Sequence, residues 1–141
     1  MHEIECEGRD EVRRTFVYAD PYKQQLLGGY HELSFTVKAH ENDSDSLDLD
    51  LRERGNGELW LRSITHYGNP KFSAKGIPDA LLPCLSKRYG VRICSGKTWG
   101  AGEITQEFLS VDATKMWKRL VEKGLAEYSE REDVYRIILP A

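Results

Sequence analysis

The chain has 141 residues, of which 40% are apolar and 30% are charged, and its formal net charge is −3. This length and apolar content predict one folded domain that needs neither a disulfide nor a metal to support its core. No stretch approaches the ~18 consecutive apolar residues of a membrane-spanning helix. The slight acidity argues against extensive contact with the phosphate backbone of nucleic acid. We therefore expect no membrane partner, and nucleic acid is an unfavoured one.

The cysteine content predicts a reducing environment. Cys6, Cys84 and Cys94 are widely spaced, and no histidine stands at metal-ligand spacing from them. An odd number of cysteines without a disulfide framework is typical of a cytoplasmic protein with free thiols and no metal site. Residues 1–7 are acidic and lack the apolar core of a signal peptide, which also favours a cytoplasmic location.

The first 29 residues carry the least regular pattern. Residues 14–18 are compatible with a strand, and residues 21–27 with a short helix that Gly28 and Gly29 would close. We expect an irregular segment over 1–29 in front of a core over 30–139, so that 1–141 forms a single domain.

Three strands are predicted from residue 30 onward, because apolar and polar residues alternate there. The apolar positions of the first two strands are Leu33, Phe35 and Val37, and then Leu47, Leu49 and Leu51. In the third strand, residues 58–66, one face carries Leu59 and Leu61, and the other face carries Trp60, Arg62 and Ile64. An acidic turn at 41–46 and a tight turn at 54–57 connect the strands, which predicts an antiparallel meander.

A helix is predicted next, over residues 77–89. Gly90 is its expected stop, and Pro83 marks either a kink or a late start. A short β-branched strand over 91–94 follows, and a glycine-rich loop occupies 95–102.

The last part of the chain predicts a second helix and two further strands. The helix is expected to begin at Ser110 or Asp112 and to stop at Gly124, and the strands span 125–128 and 134–139. This order of elements predicts an α+β fold with a mixed, mostly antiparallel sheet, two main helices and one parallel crossover at the first helix.

The passage from the third strand into the first helix is the candidate site. Gly76 opens the helix, whose first N–H groups and dipole favour a phosphate or pyrophosphate group. Lys71 and Lys75 would add positive charge. Because a glycine here can also serve simply to turn the chain, the spacing alone leaves both interpretations open.

The same loop carries a family resemblance. Residues 73–81, Ser-Ala-Lys-Gly-Ile-Pro-Asp-Ala-Leu, resemble the acetyl-CoA pyrophosphate loop of the GCN5-related N-acetyltransferase (GNAT) family. That loop reads Gln or Arg, two residues, Gly, one residue, then Gly or Ala. Residues 111–128 are similar to the family's later helix with its closing glycine and strand, and the order of elements over 30–139 agrees. The resemblance is to a divergent member that is shortened at its N-terminus. Ser73 stands where the family has Gln or Arg, Pro78 stands where it has Gly or Ala, and Leu120 stands where it often has Tyr.

The resemblance implies a GNAT-like acyl-CoA N-acyltransferase fold and transfer of an acetyl group from acetyl-CoA to an amine. Because the acceptor side is shortened, it implies an amine on a macromolecule such as a protein. The implied cofactor-binding residues are Ile64, Lys71, Ser73, Ala74, Lys75, Gly76, Ile77 and Pro78. His66 would be the general base, since an imidazole titrates near neutral pH, and Glu103 is a second candidate.

Two other classes of function stay open. A chain with this frame and an altered cofactor loop could be a non-catalytic binding protein, such as an inhibitor that directs its acidic turn or a sheet edge at a basic partner. The end of the sequence also resembles a winged-helix DNA-binding unit. The basic residues of its helix are Lys115, Lys118, Arg119 and Lys123. The long separation of the two helices and the acidic turn 130–133 disfavour DNA binding.

Overall fold

The computed structural model describes residues 1–26, 29–53, 57–66, 68–96 and 111–139. Within them, nine strands form one sheet, and two helices pack against one of its faces. The strands are β1 (His2–Glu7), β2 (Arg13–Tyr18), β3 (Tyr22–Gln25), β4 (His31–Lys38), β5 (Leu47–Glu53), β6 (Leu59–Thr65), β7 (Ile93–Cys94), β8 (Ala126–Ser129) and β9 (Val134–Ile137). The helices are α1 (Ile77–Tyr89) and α2 (Val111–Glu122).

The sheet is open and mixed. Its strand order is β1-β2-β4-β5-β6-β7-β9-β8, and β3 also pairs with β4. Every pair is antiparallel except β6 and β7, which run parallel and are connected through α1. The predicted α+β fold, with a mostly antiparallel sheet, two helices and one parallel crossover, is therefore confirmed.

The core lies between the helices and one face of the sheet. The buried residues of β5 are Leu47, Leu49 and Leu51, and they alternate with polar residues that face the other side. The helices contribute Leu81, Leu82 and Leu85 from α1, and Met116, Trp117 and Leu120 from α2. Since each large apolar side chain contributes about 1.5–3 kcal/mol on burial, contact with the helices is a major source of stability.

The first 29 residues are more regular than predicted. β1 and β2 form an antiparallel hairpin that buries Ile4, Cys6, Phe16 and Tyr18 in the core. The short helix expected over 21–27 is wrong, because Tyr22–Gln25 is a strand that pairs with β4. The expectation of an irregular segment is wrong as well. Glutamates alternate with the two apolar residues of β1, and this period-two pattern indicates a strand even in an acidic sequence.

A β-bulge changes which side chains of β6 face the core. The register between β5 and β6 shifts between Asp50 and Leu51, which leaves Arg62 as the extra residue. Ile64 consequently packs against the core, as Leu61 does. The expectation that Ile64 shares a face with Arg62 is wrong, because strict alternation cannot reveal a bulge.

The helices begin close to the predicted positions. α1 begins at Ile77 and contains Pro83, so the proline does not delay its start. α2 begins at Val111, which places Asp112 inside the helix rather than at its N-cap, and Ser110 lies outside the described residues. In the described part of the chain, neither helix is long and apolar enough to cross a membrane.

The position of the N-terminal hairpin in the core leads to a first prediction. Phe16 is 3% exposed and lies against Phe72, with ring centroids 6.2 Å apart. Phe16→Ala should lower the free energy of unfolding by about 3–5 kcal/mol, because it removes a buried ring and leaves a cavity. Urea denaturation followed by circular dichroism measures this change. Thr15→Ala, at the neighbouring exposed position, is the control and should stay within about 0.5 kcal/mol of the wild type. Equal losses for the two variants would contradict the packing.

Candidate functional site

A cleft of about 630 Å³ opens where β6 ends and α1 begins. Its apolar lining includes Leu47, Leu61 and Phe72, and its other walls come from the turn after β1, the loop before α1, the end of β6 and α2. This volume falls within the range of ~300–1,000 Å³ that is typical of small-molecule sites. The cleft is therefore large enough to bind a ligand.

The start of α1 is held against the end of β1. Gly76 has a φ of 75°, in the left-handed region that favours glycine. A Cβ atom at this position would lie 2.1 Å from the carbonyl oxygen of Glu7. The Arg9 N–H donates a hydrogen bond of 3.1 Å to the Ala74 carbonyl oxygen, which fixes the same approach. Both conformation and space therefore require glycine at position 76.

Backbone donors in front of α1 are available to a ligand. The Ser73 N–H donates to the Asn69 carbonyl oxygen at 3.1 Å, whereas the N–H groups of residues 74–76, which line the cleft, have no acceptor among the residues that the structure describes. No side chain caps α1, and Pro78 in its first turn has no N–H to offer. Because an uncapped helix start carries partial positive charge, this end of the cleft favours an anionic group.

The charged side chains of the cleft are mostly basic, although the whole chain carries a net charge of −3. They are Arg9, Lys75, Arg119 and Lys123, against Glu7 and Asp79. Arg62 also borders the cleft, but its guanidinium lies 3.4 Å from the Glu32 carboxylate. Arg119 binds the Asp79 carboxylate through two hydrogen bonds of 2.8 and 3.0 Å. Arg9, Lys75 and Lys123 form no ion pair within the described ranges. The cleft thus presents uncompensated positive charge.

The second half of β6 contributes a backbone edge to the cleft. β6 pairs with β7 only at Leu59 and Trp60, and among the described strands nothing else pairs with that side of β6. Residues 61–64 of the strand line the cleft, as does Gly96 beyond the end of β7. Because β6 and β7 separate here, backbone donors and acceptors of β6 can bind an extended ligand as a neighbouring strand would.

His66 lies in the cleft, directly after β6. Its Nδ1 accepts a hydrogen bond of 3.0 Å from the Gly68 N–H. The neutral ring must then carry its proton on Nε2, so this nitrogen is a hydrogen-bond donor. This geometry suits donation to a carbonyl oxygen or a sulfur, and it disfavours the role of general base that the sequence suggested.

The cleft contains most of the residues that the family resemblance implied for cofactor binding. Those in its lining are Ile64, Ser73, Ala74, Lys75, Gly76 and Pro78. Ile77 is fully buried in the core, backbone included, and is absent from the lining. Lys71 is absent from the lining, because its ammonium contacts the carboxylates of Asp43 and Asp45 instead. Glu103 lies outside the described residues.

The acidic turn over 41–46 has less free charge than its sequence suggests. The Lys71 Nζ lies 3.0 Å from Asp43 Oδ1 and 2.8 Å from Asp45 Oδ2. The Asp45 N–H and the Lys71 ammonium hold the pKa of Asp43 below its usual value. These contacts bind the turn to the loop before α1, and they reduce the charge that the turn could offer to a basic partner.

Several cleft residues are not identified by the sequence analysis. Glu7, Gly8 and Arg9 come from the β1–β2 turn, and Met116 comes from α2. Arg119 is a residue that the winged-helix interpretation places on a DNA-binding surface, whereas its guanidinium is bound to α1. No local pattern could have found these residues, because each reaches the cleft through contacts between elements far apart in the chain.

The chain matches no protein-family model, no curated protein and no solved structure. Among the residues described by the structure, no three His, Cys, Asp or Glu side chains converge on a position that could hold a metal ion. The features of the described residues that bear on function are therefore the cleft, its basic lining and the uncapped start of α1.

The contact at Gly76 leads to a second prediction. Gly76 and Gly124 have φ values of 75° and 74°, but nothing lies within 4 Å of a Cβ atom built at Gly124. Gly124→Ala should cost about 1–2 kcal/mol of stability through left-handed strain alone. Gly76→Ala should cost about 1–3 kcal/mol more, because its methyl group meets the Glu7 backbone. Urea denaturation of both variants gives the comparison, and equal losses would exclude the close contact.

Proposed function

We propose that the protein is an acyl-CoA-dependent N-acyltransferase that uses this cleft to bind acetyl-CoA and an amine. The observation that carries the proposal is the combination of uncapped N–H groups at the start of α1 with unpaired cations around them. A diphosphate needs several donors and positive charge together. The cleft provides both in a chain that is acidic overall.

The residues present fit such a cofactor. The N–H groups of residues 74–76 would bind the diphosphate, and Lys75 and Arg9 would add charge-assisted hydrogen bonds. The unpaired side of β6 over 61–64 would bind an extended arm that contains amide groups. Bound acetyl-CoA would supply the thioester whose carbonyl carbon an amine attacks.

His66 has a defined part in this proposal. With Nδ1 occupied by the Gly68 N–H, the Nε2–H of the neutral ring can donate a hydrogen bond to the thioester oxygen or to the departing sulfur. We therefore assign it to stabilise developing negative charge rather than to remove a proton. The acceptor amine is proposed to belong to a macromolecule, as the family resemblance implies.

Isothermal titration with CoA and acetyl-CoA at moderate salt gives a third prediction. Both ligands should bind, and Lys75→Ala and Arg9→Ala should each weaken binding about tenfold, since each removes one charge-assisted contact. Lys87→Ala is the matched control: this lysine lies exposed in the last turn of α1, at the far end of the helix from the cleft. It should leave binding unchanged. A charge-reversing variant of the loop itself, Gly76→Glu, cannot test ligand binding, because its side chain would clash with the Glu7 backbone and disturb the fold.

The same titration separates the alternatives. Absence of binding to either ligand would contradict the transferase proposal and favour a non-catalytic binding protein. Binding of duplex DNA that strengthens steeply as salt falls would favour the winged-helix interpretation instead. Equal affinities for wild type, Lys75→Ala and Arg9→Ala would place the ligand elsewhere.

The role of His66 gives a fourth prediction, measured as thiol release from acetyl-CoA with a panel of primary amines. His66→Ala should lower the rate by about a hundredfold, the usual scale for loss of one such donor. His66→Gln should retain part of the activity, because its amide N–H₂ can still donate. If His66 were instead a general base, His66→Ala and His66→Gln would be equally impaired, because glutamine cannot accept the proton of the amine.

A further inference from the structure

A second, smaller cavity of about 340 Å³ lies between the sheet and the last turn of α1. Its floor consists of buried apolar side chains of the sheet and of α1, namely Phe35, Leu51, Leu59, Leu85 and Ile93. Leu33, Tyr89 and Val91, which are partly or well exposed, form its mouth. The candidate site lies at the other end of this 13-residue helix. At about 1.5 Å per residue the two helix ends are roughly 20 Å apart, so the two cavities are separate.

The cavity suits a small apolar molecule rather than a peptide strand. An extended peptide needs an unpaired strand edge, but the strands beneath the cavity are paired on both sides. β4 lies between β3 and β5, β5 lies between β4 and β6, and β6 pairs with β7 at Leu59. An apolar cavity of about 150 Å³ already holds benzene. The larger cavity therefore has room for a ligand with two fused rings.

Glu53 gives the mouth of this cavity a negative charge. It pairs with Leu59 of the core across the sheet, which places its side chain on the helix side. The His31 Nδ1 lies 3.0 Å from Glu53 Oε1, and this imidazole carries charge only when it is protonated. Glu53 Oε2 has no partner within the described part of the chain. The carboxyl end of α1 adds partial negative charge, and no described lysine or arginine lines the cavity.

Glu58 also borders the cavity, but its carboxylate is directed elsewhere. It accepts hydrogen bonds of 2.7 and 3.3 Å from the Arg136 guanidinium. Arg136 pairs with Cys94, which follows the core residue Ile93, so Arg136 lies on the face of the sheet opposite the helices. The negative charge at the mouth is therefore that of Glu53.

We propose that this cavity binds a small apolar amine, whose hydrocarbon body fills the space between α1 and the sheet and whose ammonium group contacts Glu53. The apolar floor favours burial of the body, and the ammonium–carboxylate contact is a charge-assisted hydrogen bond. The same carboxylate disfavours a fatty acid or another anionic molecule of equal size. The proposal does not rest on the transferase activity, because that cleft is basic and lies at the other end of α1.

The chemistry of the ligand is tested by isothermal titration with naphthylmethylamine, naphthalenemethanol and naphthoate, which share their rings and differ in charge. The amine should bind tightest, the alcohol about tenfold more weakly, and the carboxylate more weakly still. Glu53→Gln should weaken the amine about tenfold and leave the alcohol unchanged. Glu3→Gln, at an exposed carboxylate of β1, is the matched control and should change neither affinity.

The location is tested with variants that fill the mouth. Leu33→Trp should abolish binding of the amine, whereas Val121→Trp, at an exposed position of α2, should have no effect. Circular dichroism verifies the fold, and Val91→Trp replaces Leu33→Trp if that variant is misfolded. Saturating CoA and the Arg9→Ala replacement should leave the affinity for the amine unchanged, because both act at the cleft.

Four results would overturn the proposal. They are absence of binding by the amine, equal affinities for the amine and naphthoate, an amine affinity that Glu53→Gln leaves unchanged, and retained binding when the mouth is filled. Competition between the amine and CoA would overturn it as well, because the amine would then occupy the cleft. Failure of CoA to bind contradicts the transferase alone, so the two proposals are tested separately.

Discussion

The close approach of Gly76 to the carbonyl oxygen of Glu7 is the contact on which the candidate site depends. It holds the beginning of α1 against the end of β1, two elements separated by about half of the sequence. Without it, the β1–β2 turn would not form a wall of the cleft, and Arg9 would not lie near Lys75. The turn itself is braced by Asp10, which accepts hydrogen bonds of 2.6 and 3.1 Å from Arg14. These bonds, together with one from the Val12 N–H, hold the pKa of Asp10 below its usual value.

The distribution of charge gives the cleft a character that net charge conceals. Many carboxylates of this acidic chain are occupied by cations elsewhere, as Asp43 and Asp45 are by Lys71 and as Glu58 is by Arg136. The cleft keeps cations without such partners. A basic, partly enclosed cleft concentrates anions locally even when the whole protein is weakly acidic. The net charge of the whole chain therefore carries no information about whether this cleft can bind an anionic small molecule.

The sequence predicts those parts of the fold that depend on local periodicity. The β4–β5–β6 meander and both helices follow from apolar residues at period two or at helical spacing. The bulge at Arg62 cannot be predicted in this way, because the residue types along the strand do not show where one residue is left without a partner on the neighbouring strand. The requirement for glycine at position 76 was expected from the turn, but its second cause, the backbone of Glu7, is a contact between distant segments. For the same reason the lysines could not be told apart: Lys75 remains unpaired in the cleft, while Lys71 is bound by the acidic turn.

The position of the cleft follows from the parallel connection between β6 and β7. The crossover from β6 through α1 to β7 brings the start of the helix to the carboxyl end of β6, and ligands of α/β units bind at such ends. β7 is only two residues long, so its pairing with β6 stops at Trp60. If β7 continued alongside residues 61–65, its backbone would satisfy the edge of β6 and close the gap between the strands. Among the residues that the structure describes, the short β7 therefore leaves space and backbone groups of β6 next to the uncapped end of α1, as an extended anionic ligand needs.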